Sequence, residues 1–118
     1  MNSDQNLLGN IYISHRAIAT IAYQAALSSY GVVGLTAKNL TVALTQVLVK
    51  DPTLGVDIDY DGKHIVINLF IVVEYGTRIK SVADSVMENV RYQVEKTIGI
   101  PVKEINVHVR GLRISNTD

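Results

Sequence analysis

Asp61-Gly62 stands between two runs of alternating apolar residues, and this pair of residues organises the middle of the chain. Asp-Gly tolerates the left-handed dihedrals of the tightest hairpin turn, so the two runs are predicted to fold back as antiparallel strands. The turn would set Tyr60 opposite Lys63, Ile58 opposite Ile65 and Val56 opposite Ile67. Side chains alternate along a strand. The second run therefore divides into an aliphatic face (Ile65, Ile67, Leu69, Ile71, Val73) and a mixed face (His64, Val66, Asn68, Phe70, Val72, Glu74). A membrane-spanning helix needs roughly 20 apolar residues. The run from Ile65 to Val73, interrupted by Asn68, is far shorter, so no direct membrane insertion is expected.

The rest of the chain switches to helical spacing and back. Ile79, Val82, Ala83, Val86, Val90, Val94 and Ile98 make a helical stripe, with Thr77 predicted to cap it and Gly99 and Pro101 to stop it. A final strand follows, with Ile105, Val107 and Val109 inward and Glu104, Asn106, His108 and Arg110 outward. Leu112 and Ile114 reverse that parity, which predicts a bulge at Gly111. Before the hairpin, Asn10 to Ile13 reads as a short strand and Ser14 as an N-cap. A helix rich in alanine (17, 19, 22, 25 and 26) then runs toward Tyr30-Gly31, which is expected to close it. Thr36 to Lys50 reads as a further helix ended by Asp51-Pro52. The expected fold is α+β: a small mixed sheet of N-terminal strand, hairpin and C-terminal strand, with helices mainly on one face. Residues 9–114 form one domain, and residues 1–8 and 115–118 are expected to be flexible ends. Gly31, Gly34, Gly62, Gly76, Gly99 and Gly111 are expected to be structural, and Gly76 to have positive φ.

Composition removes several classes of function. Lysine plus arginine equals aspartate plus glutamate at 11 each, so net charge is zero. Nucleic acids and anionic membranes reward an excess of basic charge. The absence of cysteine removes disulfides, thiol nucleophiles and cysteine-type zinc sites. Met1 to Leu8 is polar, without a basic start or apolar stretch, so no secretory leader is expected.

Three motifs imitate chemistry without completing it. Asp57, Asp59, Asp61 and Gly62 resemble the start of a calcium loop, but Asn68 stands where the bidentate glutamate belongs. His15, His64 and His108 lack the spacing of a zinc motif, and no nucleophile motif accompanies them. Gly31-Val32-Val33-Gly34 matches the loop of nucleic-acid-binding KH domains, yet its two valines offer neither donor nor charge. No catalytic residue, cofactor or metal is expected.

Four stretches, in register, resemble the alkaline shock protein family, the Gls-type envelope stress response proteins of Gram-positive bacteria. They are Gly9-Asn10-Ile11-Tyr12-Ile13-Ser14, Tyr30 to Gly34, Val72 to Ile79, and Gly99 to Val102 running into Ile105 to Gly111. The segment from Ala37-Lys38-Asn39 through Lys50, and the absence of long polar tails, resemble the short, stand-alone branch of that family. The resemblance implies a cytoplasmic, non-enzymatic protein held near the membrane by partners, often beside a dihydroxyacetone-kinase-like protein. Such a protein works as an interaction or scaffold module through self-association, with a membrane-anchored protein as another partner. Two alternatives stand beside it: a small-ligand or acyl-chain accessory of the kinase-like protein, and a KH-like nucleic-acid binder. The candidate interface is the mixed strand face, Val66, Phe70 and Val72, extended by His108 and Arg110. An apolar patch rimmed by polar groups marks a contact surface. The alternative for that face is that the segment from Thr36 to Lys50 folds over it.

Overall fold

The computed structural model describes residues 15–38 and 48–114. The expected strand from Asn10 to Ile13, the Ser14 cap, both chain ends and the middle of the Thr36 to Lys50 helix lie outside the described residues. Helix α1 spans His15–Leu27, strand β1 Val32–Leu35, the short helix α2 Pro52–Gly55 and strand β2 Val56–Tyr60. Strand β3 spans Ile65–Glu74, helix α3 Ile79–Ile98 and strand β4 Val102–Arg113.

Strand β3 is the centre of a mixed sheet. Along one edge β4 runs parallel to it from Ile65 to Glu74. The other edge is shared, with β2 antiparallel beside Ile65 to Leu69 and β1 antiparallel beside Ile71 to Val73. Parallel neighbours need a crossover, and α3 supplies it. All five odd-numbered residues from Ile65 to Val73 are fully buried. Both long helices cover that face, α3 through Val82, Val86, Val90 and Val94 and α1 through Ile18, Ala22 and Ala26. The alanines let α1 approach its neighbours closely. At its end, the Ala25 carbonyl accepts hydrogen bonds from Ser29 Oγ and from Asn89 Nδ2 of α3, both at 2.8 Å. Carbonyls in a last turn lack intrahelical partners, so this bond satisfies α1 and ties the two helices together.

The hairpin forms, but in a different register. Tyr60 pairs with Ile65, Ile58 with Ile67 and Val56 with Leu69, leaving residues 61–64 as the loop. A two-residue turn of the Asp-Gly type needs positive φ at both positions. Here Gly62 has φ of 93°, and no described non-glycine residue has a positive φ. Asp61 instead bends the chain with its side chain: Oδ1 accepts the amides of Lys63 and His64, each at 2.9 Å. The shift is two residues, so every side chain keeps its face.

Other differences are local. The Gly31 turn leads into β1, a strand that Gly34 and its brevity concealed, whereas α1 stops earlier at Leu27. Asp51-Pro52 starts a helical turn, and Asp51 Oδ1 accepts the Thr53 amide at 3.0 Å. Thr77 does not cap α3, because its hydroxyl donates to the Glu74 carbonyl at 2.7 Å and Arg78 takes the cap position. The parity change on β4 is present: Val109 faces Ile71 and Gly111 faces Val72, leaving Arg110 as the extra residue of a bulge. Gly76 and Gly99 have φ of 92° and 81°, and Gly99 caps α3.

Candidate protein-interaction surface

The mixed face of β3 is not an open apolar patch. Phe70 is only 4% exposed and Val72 only 1%. Among the described residues, neighbouring segments supply their cover. The His108 ring stacks on Phe70 at 4.8 Å between centroids, and the Arg110 guanidinium lies 5.1 Å from the Phe70 centroid. Val72 lies level with Gly34 and Gly111, neither of which has a side chain. Leu48 packs beside it on this face, since a Cβ on Gly34 would come within 2.8 Å of Leu48 Cδ1. The described end of the Thr36 to Lys50 segment thus reaches this face. Of the expected interface residues, Phe70 and Val72 are buried, Val66 is half-buried, and His108 and Arg110 are exposed.

What this face presents is the polar side of β4. Glu104, Asn106, His108 and Arg110 follow one another along it. Asn106 Nδ2 donates to Glu104 Oε2 at 2.9 Å, and His108 Nε2 lies 3.2 Å from Asn68 Oδ1. At the start of the strand α3 closes the outer rung. The Val102 amide donates to Glu95 Oε2 at 2.8 Å and its carbonyl accepts from Arg91. Among the described residues β4 pairs only with β3.

A second surface lies at one end of the sheet. Tyr30, Tyr75, Ile79, Leu112 and Ile114 are exposed there, with Ile114 75% exposed. Two backbone bonds hold their segments together: the Glu74 amide to the Gly31 carbonyl and the Tyr75 amide to the Arg113 carbonyl, each at 2.8 Å. Sequence reasoning missed this surface. It assigned Ile79 to the buried stripe and gave neither Tyr30 nor Tyr75 a part in an interface. Their position beside Gly31 and Gly76 was the available signal, since an aromatic in a surface turn has no core to enter.

The chemical motifs stand apart from one another. His15 is on α1 and meets the Tyr60 ring edge-on at 6.4 Å, His64 is in the hairpin loop, and His108 is on β4. Asp57 and Asp59 are exposed on β2, Asp57 lies 3.4 Å from Lys38 Nζ, and Asp61 is engaged in the turn. The amides of His64 and Lys63 hold the Asp61 carboxyl below its ordinary range. Among the described residues no group of three or more histidines and acids is placed to hold a metal ion. The groove between α1 and α3 is open rather than enclosed, lined by Thr20, Gln24, Ser28, Gln93 and Thr97 beside Ile21 and Ala25.

Residues 3–114 match the alkaline shock protein 23 family, described as having a cell envelope-related function. The chain belongs to that family. The YloU protein of Bacillus subtilis is 41% identical over 110 residues, 92% of each chain. A second relative from Bacillus subtilis, YqhY, is 29% identical and covers 96% of this chain and 84% of its own. The fold also resembles the MamM CTD. Its copper form superposes with a TM-score of 0.53 at 18% identity, covering 88% of this chain and 92% of that one. A zinc form gives 0.50 at 18% identity, covering 87% and 89%. At that identity the likeness is one of fold. Among the described residues no helix is long and apolar enough to cross a membrane.

Proposed function

We propose that this member of the alkaline shock protein 23 family is a non-enzymatic interaction module that self-associates and docks on protein partners at the cell envelope. The observation that carries this reading is the cluster of five large exposed hydrophobic residues at one end of the sheet, Tyr30, Tyr75, Ile79, Leu112 and Ile114. Exposed apolar side chains gathered in one place mark a contact surface. Tyrosine suits such a role, with a large apolar body and a polar tip. The family's envelope-related function fits a cytoplasmic protein brought near the membrane by a membrane-anchored or kinase-like partner. An acyl-chain accessory is less well supported, because the groove between the helices is an open surface groove rather than an enclosed cavity. Zero net charge and the two valines of the Gly31 to Gly34 run weigh against nucleic acid.

A photo-crosslinking residue placed at Tyr75, in living cells, tests the proposal. Tyr75 should give discrete adducts with envelope-associated proteins or with a second copy, whereas the same probe at Glu88 on α3 should give none. Equal labelling from both positions, or none from Tyr75, would contradict it.

A further inference from the structure

Resting on that reading, we propose that the outer edge of β4 pairs antiparallel with the same edge of a second copy, about a two-fold axis at Val107. An interface of this kind needs a self-complementary surface, in which residue i meets j and j meets i. Strand addition at a free edge supplies the backbone bonds, and the side chains set the register.

The outward side chains of β4 read acid, amide, imidazole, base: Glu104, Asn106, His108, Arg110. With the axis at Val107, Glu104 meets Arg110 of the second copy and Asn106 meets its His108, and symmetry repeats both pairs. On the helix-covered face Ile105 meets Val109, and Val107 meets its own copy. Val107 and Val109 are only half-buried in the single chain, so pairing would cover them. Moving the axis to His108 sets Glu104 against Leu112, and moving it to Asn106 sets Arg110 against Val102. Only the Val107 register among these joins the opposite charges. A long exposed edge is normally shielded or paired. Here α3 shields the first rung, at Val102, and the strand runs on for 12 residues in total. An edge shielded by like charge would repel its own copy, whereas this one carries both signs in complementary order. Strand alternation places Arg110 on the same face as Glu104, as its contact with Phe70 shows.

Sedimentation of the full chain over a range of concentrations tests the pairing. The wild type should dimerise. Glu104→Arg and Arg110→Glu should each weaken dimerisation by about tenfold, the scale of cross-strand charge pairs made twice. The double variant, with the charges exchanged, should recover most of the loss. The chain has no cysteine, so single substitutions report proximity directly. Val107→Cys should oxidise to a disulfide-linked dimer, and Lys103→Cys, away from the axis, should not. A monomeric wild type, charge variants that dimerise normally, or a Val107→Cys chain that stays unlinked would each overturn the pairing. Association that survives charge reversal but is lost in Tyr75→Glu would overturn it while leaving the interaction-module reading intact. A chain that neither dimerises nor gives adducts through Tyr75 would overturn both.

Discussion

The two faces of β3 differ in how they are covered. One is purely aliphatic and fully buried beneath two helices. The other is buried only in part, by a histidine, an arginine and a leucine drawn from neighbouring segments. The first face obtains its stability from packing and has no polar atom to spend on recognition. The second keeps its aromatic residue dry under the His108 ring and the Arg110 guanidinium, and it leaves donors and acceptors facing outward. One strand thus carries a sealed aliphatic face and, behind it, a face with polar groups at its surface.

The contrast should be largest at adjacent residues. Ile67→Ala removes a fully buried side chain and should cost about 3 kcal/mol, read by chemical denaturation. Asn68→Ala, one residue on, should change stability by less than about 1 kcal/mol. Equal losses would erase the distinction between the faces. Gly76→Val involves neither face. Its added side chain would meet nothing, but the φ of 92° disfavours any Cβ, so a loss of about 1–2 kcal/mol in thermal unfolding is expected. An unchanged melting temperature would show that the turn relaxes freely.

His108→Ala probes the thinner cover directly. It removes the ring stacked on Phe70 and should cost about 1 kcal/mol or less while raising the binding of an apolar dye. Phe70→Glu is expected to unfold the chain rather than to test association, because Phe70 is 4% exposed and the substitution would bury an unpaired charge. The smallest effect concerns pH. Two amides lower the folded-state pKa of Asp61 from 3.8, so its contribution is present above that value and is lost as pH falls through the lower folded value. Asp61→Asn should therefore lower stability slightly at neutral pH and match the wild type in acid, so that the acid limb flattens. An acid limb identical to the wild type's would contradict that role.

The parts of the fold readable from sequence were those with a sustained period. The helix from Ile79 to Ile98, the faces of β3 and β4 and the bulge near Gly111 all followed from spacing. What escaped depended on hydrogen bonds that residue type does not specify. Asp61 accepts two amides instead of adopting positive φ, and Thr77 bonds backward to Glu74 instead of capping α3. Strand β1 escaped because four residues containing a glycine carry almost no alternation. The candidate interface was half readable. His108 and Arg110 point outward as their parity requires. The burial of Phe70 and Val72 depends on Leu48 and on the stacking itself, which strand parity cannot reveal.

Hydrogen exchange of the wild-type chain at low and high protein concentration tests most directly whether recognition lies on the β4 side of the sheet. Amides of β4 between Glu104 and Arg110 should gain protection as concentration rises, while those of β3 between Ile65 and Val73 should exchange equally slowly throughout. Concentration-independent exchange along β4, with new protection appearing elsewhere or nowhere, would contradict the β4 pairing.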